Sequence, residues 1–387
     1  MRTIQNFIKR FFPPAAPLKA GLYHFQSTPD SPSPLRLHLR VEPGGSGVLI
    51  INAHTVLHLN QTAAEYVFHI IHQTPENEIG RIFANRYNIS PTLANQDFTR
   101  VREKINALVH TPDLDPVTFL DIDRAALYSA NLSAPYRLDC ALTYKQQDDM
   151  PQGIAPADRV KQELPTSAWR SMIEKASQAG IPHLVFTGGE PTIREDLVDL
   201  ILYSENQNMV TGLLTNGLRL SEPTYLRAIL QSGLDHIMIT LDPSNQLAWK
   251  AVRDVVAEDI ALTVHLTLTP ENAHALSETI TTLGQIGVRQ LSLSAIQPSL
   301  NHVLLDAQKL AAQLGISLVW DLPVPYSVFN PVAIEAQGQE EIPQGAGKAW
   351  LYVEPDGDVL PTQGTQVIMG NLFSDPWEQI WATRPMK

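Results

Sequence analysis

Cysteine is nearly missing from this 387-residue chain, with Cys140 as the only one. A single thiol excludes an internal disulfide and any cluster that needs two or more thiolates from the same chain. A reducing, cytoplasmic location fits that usage. Basic residues are also scarce: 28 Lys and Arg stand against 40 Asp and Glu, a net charge of −12. A phosphate backbone demands the opposite balance, so nucleic acid is not an expected partner. No run of about 18 apolar residues is present to span a bilayer. The first residues lack the apolar core and small-residue cleavage site of a secretory signal.

What is present suffices for a large core, since 44% of the residues are hydrophobic and the length accommodates two or three domains. Ile4, Phe7, Ile8 and Phe11 recur at helical spacing beside Arg2, Lys9 and Arg10, with Pro13 and Pro14 as a stop. That segment is expected either to rest on an anionic membrane surface or to pack on the protein body or be disordered. Pro29, Pro32 and Pro34 extend the segment, and residues 1–35 read as an amphipathic and irregular arm. Arg36 to Val41 and Val48 to Leu59 alternate as strands broken by Gly44, Gly45 and Gly47. Asn60 is placed to cap a helix through Gln73, and further helices are expected over Ile79–Tyr87 and Asn95–Val109. This is a winged-helix pattern over 36–112, followed by a linker over 113–134.

The remainder is periodic. A strand at Arg137–Thr143 precedes apolar, β-branched segments ending near Thr187, Thr215, Leu241, Leu268, Ser294 and Trp320, 26 to 28 residues apart with a helical pattern in each gap. Units of that length force parallel strands with right-handed crossovers, because a hairpin needs no helix between its strands. The expected core over 135–335 is therefore an α/β partial barrel of the TIM type, although an open doubly wound sheet shares the pattern. Both place ligands at the carboxyl ends of the strands.

The polar motifs fall at those ends. Thr187-Gly188-Gly189-Glu190-Pro191 offers bare backbone to a ligand and a carboxylate to a ligand ammonium. A purely structural alternative is a tight glycine turn with Glu190 capping the next helix. Asn216 in Leu213-Leu214-Thr215-Asn216-Gly217, and Thr240 in Ile239-Thr240-Leu241-Asp242, end the next two strands. His69 and His72 share a helix face but lack a third ligand, and Glu195-Asp196 reads as a solvated helix start.

Residues 135–320 with these strand ends resemble a radical S-adenosylmethionine (SAM) core. The resemblance implies that Gly188, Gly189 and Glu190 form the SAM-amine motif, that Asn216 belongs to the family's Thr-Asn-Gly strand end, and that Thr240 stands where a ribose-contacting serine is frequent. The family's CxxxCxxC loop, which holds a 4Fe-4S cluster, is lost: its positions are Gln146, Met150 and Gly153. None supplies a thiolate. Cys140 lies inside the first strand and reads as a small buried hydrophobe.

Residues 336–387 carry Gly345-Ala346-Gly347-Lys348, an Asp356-Gly357 hairpin, Met369-Gly370-Asn371-Leu372, Trp377 and Trp381. They are similar to a SPASM domain without its auxiliary cysteines, which are expected near Gln344 and Thr362. Leu57-His58-Leu59-Asn60 with Ala63, Ala64 and Tyr66 resembles a PqqD-like peptide-recognition domain. It implies peptide binding by strand addition along Val56, Leu57 and Leu59. Together the resemblances imply a relative of peptide-modifying maturases that lacks cluster ligands. It is expected to be a pseudoenzyme or a subunit binding a peptide or a complete radical SAM partner protein, with no 4Fe-4S cluster. The alternative is an enzyme that binds SAM and uses it without a cluster.

Overall fold

The computed structural model describes residues 16–28, 35–52, 55–110, 133–147, 155–319, 322–327, 343 and 345–385. The amphipathic start, most of the expected linker, Met150, Gly153, Trp320 and Gln344 lie outside them. The chain divides into two compact units, residues 1–129 and 130–387.

In the first unit, strands β1 (Gly21–Gln26), β2 (Arg36–Val41), β3 (Gly47–Ile51) and β4 (Thr55–Leu59) form an antiparallel sheet in chain order. Helices Gln61–Ile71, Glu76–Tyr87 and Pro91–His110 follow. The Asn60 side chain caps the first by accepting from Ala63 N at 2.9 Å. Leu37, Leu39, Leu49, Ile51, Leu57 and Leu59 alternate onto one sheet face and pack against Ala64, Val67, Ile71, Ile105 and Leu108 of the helices. Strand β1 corrects the expectation of a wholly irregular arm. Tyr23 and Phe25, two residues apart, pack on the same core, and the backbone pairs residue for residue with Arg36–Val41. The surrounding prolines conceal that short alternation in the sequence.

The second unit is a ten-stranded mixed sheet. Strands β5 (Arg137–Thr143), β6 (His183–Gly188), β7 (Val210–Thr215), β8 (His236–Thr240), β9 (Ala261–Leu268), β10 (Gln290–Ala295) and β11 (Ser317–Leu318) run parallel in spatial sequence. Strand β12 (Trp350–Val353) pairs in parallel with the free side of β5 and continues into β13 (Asp358–Leu360) and β14 (Gly370–Asn371) as antiparallel neighbours. The parallel strands β5 to β11 follow chain order without the reversal of a doubly wound sheet, and the two edges do not join among the described residues, so the architecture is the expected partial barrel. The β12–β13 turn holds Gly357 at φ +91°, a conformation that side chains rarely adopt. Trp377 and Trp381 stack at 5.6 Å in the chain's last described helix, Trp377–Ala382.

Val185, Leu214 and Met238, from three neighbouring strands, form one fully buried apolar layer. Below it, a Cβ on Gly212 would lie 2.2 Å from the His236 ring, whose Nε2 is 2.8 Å from Nε2 of His183. Strand β7 therefore passes the histidine pair only without a side chain at 212. Gly212→Ala is expected to destabilise the protein by about 1–3 kcal/mol in denaturant unfolding. The Gly212→Ala, His236→Ala double variant is expected to be more stable than the sum of the two single losses. Simple additivity would show that the ring contact is not the cause.

Candidate functional site

The site is assembled where β5 to β9 end. Gly188 has φ +131°, and a Cβ there would lie 2.1 Å from the Thr143 carbonyl oxygen; on Gly189 it would lie 2.3 Å from that of Lys145. The double glycine thus lets the end of β6 press against the backbone that follows β5. Gly189 N donates to Thr143 O at 2.8 Å, and Glu190 N donates to Lys145 O at 2.9 Å.

Glu190 is 1% exposed. One carboxylate oxygen accepts from Thr192 N (3.0 Å), Thr192 Oγ1 (2.5 Å) and Thr215 Oγ1 (2.6 Å), and the other accepts from Asn216 N (2.7 Å). Burial raises its pKa, opposed by the bonds from Asn216, Thr192 and Thr215. Of the two roles open to Glu190, the geometry is that of the cap, extended into a joint between the ends of β6 and β7. The carboxylate was expected to face a ligand ammonium; in the structure four protein donors surround it.

A cavity of about 520 Å³ opens over the ends of β7, β8 and β9, within the size range of small-molecule sites. Asn216 and Thr240 line it, as does Gln146 from the degenerate cluster loop, whereas Gly188, Gly189 and Glu190 do not. Thr240 Oγ1 donates to Thr215 O at 3.2 Å. Sequence reasoning missed His265 and Thr267 in the same wall. His265 Nδ1 lies 2.9 Å from Ser292 Oγ, and its Nε2 lies 3.0 Å from Thr267 Oγ1 and 3.1 Å from Ser294 Oγ. Burial lowers the His265 pKa to about 4, so the ring is neutral at pH 7. Asp242, Glu271 and His274 are the other titratable groups of the lining, which among the described residues contains no Lys or Arg.

On the β5–β6 side, Gln146 Nε2 donates to Tyr326 O at 2.6 Å, and Tyr326 N donates to Gly188 O at 2.9 Å. Cys140 is 2% exposed inside β5, where burial pushes its thiol pKa up. Asp196 accepts from Arg194 and from Thr166 Oγ1, so Glu195-Asp196 is not a free carboxylate couple. His69 Nδ1 meets Thr74 Oγ1 at 3.0 Å and His72 Nδ1 meets Phe68 O at 2.8 Å, which are local helix contacts. In the first unit, Val56 is 47% exposed while Leu57 and Leu59 are core residues. The expected peptide contact at Leu57 and Leu59 is therefore limited to backbone.

Residues 140–267 match the model of the radical SAM superfamily. The chain is 24% identical over 290 residues to a PqqA peptide cyclase of Gluconobacter oxydans, covering 66% of this chain and 78% of that protein. It is 27% identical over 256 residues to a PqqA peptide cyclase of Xanthomonas oryzae pv. oryzae, covering 58% and 66%. In structure it is similar to Streptococcus suis SuiB bound to precursor peptide SuiA, with a TM-score of 0.54 at 15% identity over 89% of this chain and 86% of that one. The SuiB structure bound to S-adenosylmethionine gives 0.53 over 92% and 88%. The second unit thus has the radical SAM α/β fold.

Glu190→Ala leaves several buried donors without an acceptor and is expected to cost about 3 kcal/mol or more in unfolding free energy. Glu190→Gln, which keeps the shape and some of the bonds, is expected to cost less. Unchanged stability in both would return Glu190 to a ligand-facing role.

Proposed function

We propose that this chain, which carries a radical SAM domain, works in the modification of a ribosomally made peptide as a binding or partner subunit and holds no 4Fe-4S cluster of its own. The observation that carries the reading is the state of Gln146. At the position of the family's first cluster ligand it offers an amide, and that amide is bonded to the Tyr326 carbonyl. Cys140, the single thiol, is shut inside β5. The residues present do not fit a four-iron cluster, so radical generation is assigned to a complete partner protein.

The peptide part of the reading rests on the first unit and on the company the chain keeps. The relatives' names specify a peptide cyclase, and SuiB was seen with a precursor peptide. Strand β4 is the last strand of its sheet among the described residues and is followed in sequence by the helix Gln61–Ile71. An extended peptide adds to such an edge by main-chain pairing, and the outward Val56 supplies an apolar contact. This deepens the resemblance to PqqD-like domains, as the β12–β13 hairpin and the tryptophan pair deepen that to SPASM domains. A second reading has one observation in its favour: Asn216 and Thr240 border a cavity, so SAM or a similar ligand enters it and is used in polar chemistry.

Two measurements test the main reading. Anaerobic reconstitution with iron and sulfide is expected to leave far less than stoichiometric metal; about four irons per chain with the matching visible absorbance would overturn the cluster-free assignment. Hydrogen exchange on the full chain, with the small peptides encoded beside its gene, is expected to show added protection over Thr55–Leu59. If no such peptide protects that strand, the peptide-binding role fails.

A further inference from the structure

Residues Leu322–Tyr326 belong to no strand or helix, yet the segment through Ser327 is fastened along its length. Leu322 packs on the apolar layer of Val185, Leu214 and Met238. Val324 O accepts from Gln363 Nε2 at 2.9 Å. The Tyr326 peptide unit is held on both sides, its N–H by Gly188 O at 2.9 Å and its carbonyl by Gln146 Nε2 at 2.6 Å. The Tyr326 ring is 1% exposed and meets Tyr144 edge to face at 5.4 Å. Val324 and Ser327 also form part of the wall of the 520 Å³ cavity.

We infer that Leu322–Ser327 is a built-in occupant of the barrel mouth, taking up the groups to which SAM's amino-acid end would bind, so that SAM competes with the chain itself. This rests on the reading that the barrel hosts no cluster, and it concerns the cofactor rather than the metal. An incoming ammonium meets a Gly188 carbonyl already bonded to Tyr326 N–H and a Glu190 carboxylate sealed by four donors. Displacing the segment breaks both Tyr326 hydrogen bonds and exposes a buried aromatic ring. Because the occupant is tethered, it competes at a high effective concentration. Pro323 and Pro325 add to this. Each fixes its own φ and restrains the residue before it, so the segment loses little conformational entropy on docking.

What the segment leaves open is the β7–β9 side, where Asn216, Thr240 and His265 face it across the cavity. A ligand confined there touches the segment directly, which links occupancy of the cavity to the position of Tyr326.

The test is calorimetric titration of SAM into the full chain and into a Leu322→Ala, Tyr326→Ala variant whose folding is checked by circular dichroism and thermal unfolding. The native chain is expected to give no saturable heat up to about 1 mM SAM, and the variant to bind at least about tenfold more tightly than that limit. Tight binding by the native chain, or no gain in the folded variant, overturns the inference. Should the double variant not fold, Gln146→Ala removes one hydrogen bond and spares the core. It is then expected to speed amide exchange over 322–327 by about tenfold, and unchanged exchange overturns the inference. Iron content is read on the same samples. Metal uptake by the native chain would sink the cluster-free reading, whereas the SAM and exchange results bear on the segment alone.

Discussion

The mouth of this barrel depends on one buried carboxylate. Glu190 sits at the end of β6 with 1% of its surface exposed, and a carboxylate withdrawn from water is tolerable only where donors replace its hydration. Thr192 supplies two of them from the next turn, and Thr215 and Asn216 supply two from the end of the neighbouring strand. The joint fixes where β6 and β7 stop relative to each other. It also fixes the carbonyl of Gly188, on which the Tyr326 segment docks. Were Glu190 turned toward a ligand, both strand ends would lose their shared acceptor.

The strand ends were legible in the sequence because a parallel sheet covered by helices reads as apolar segments at a constant interval, each closed by small polar residues. The strand at Arg137–Thr143 and the polar ends at Thr187, Thr215 and Thr240 stand where that pattern places them. The role of Glu190 was not decidable from the chain, since two of its donors lie 25 and 26 residues downstream and only the parallel register brings them together. His265 was missed for a related reason. Its partners Ser292 and Ser294 belong to the next strand, and each strand alone reads as an ordinary alternation of apolar and hydroxyl residues. The Tyr326 segment, with two prolines in six residues, reads locally as a loop; its fastening is entirely long-range.

The cavity wall has a chemical character of its own. His265 is held neutral, with hydroxyls at both ring nitrogens, so it is a weak base near pH 7. The carboxylates of Asp242 and Glu271 are present without any lining Lys or Arg among the described residues. Such a wall hydrogen-bonds neutral groups and attracts cations.

Under the proposal that the chain holds no cluster, the single buried thiol and the fastened segment belong together. A cluster and its cofactor are bound partners that stabilise the folded state, and a barrel mouth shaped for them is left with polar strand ends and apolar surface when they go. Here that surface is covered. Tyr326 packs with Tyr144, Tyr352, Ala141, Ala155 and Leu360. The Tyr144 hydroxyl donates to Glu354 Oε1 at 2.8 Å, which Arg159 Nε also reaches at 2.8 Å. Glu354 is itself 1% exposed and comes from the far end of the chain, at the β12–β13 turn. The C-terminal hairpin is thereby tied to the residue after β5 by the chain's own aromatic side chains and hydrogen bonds.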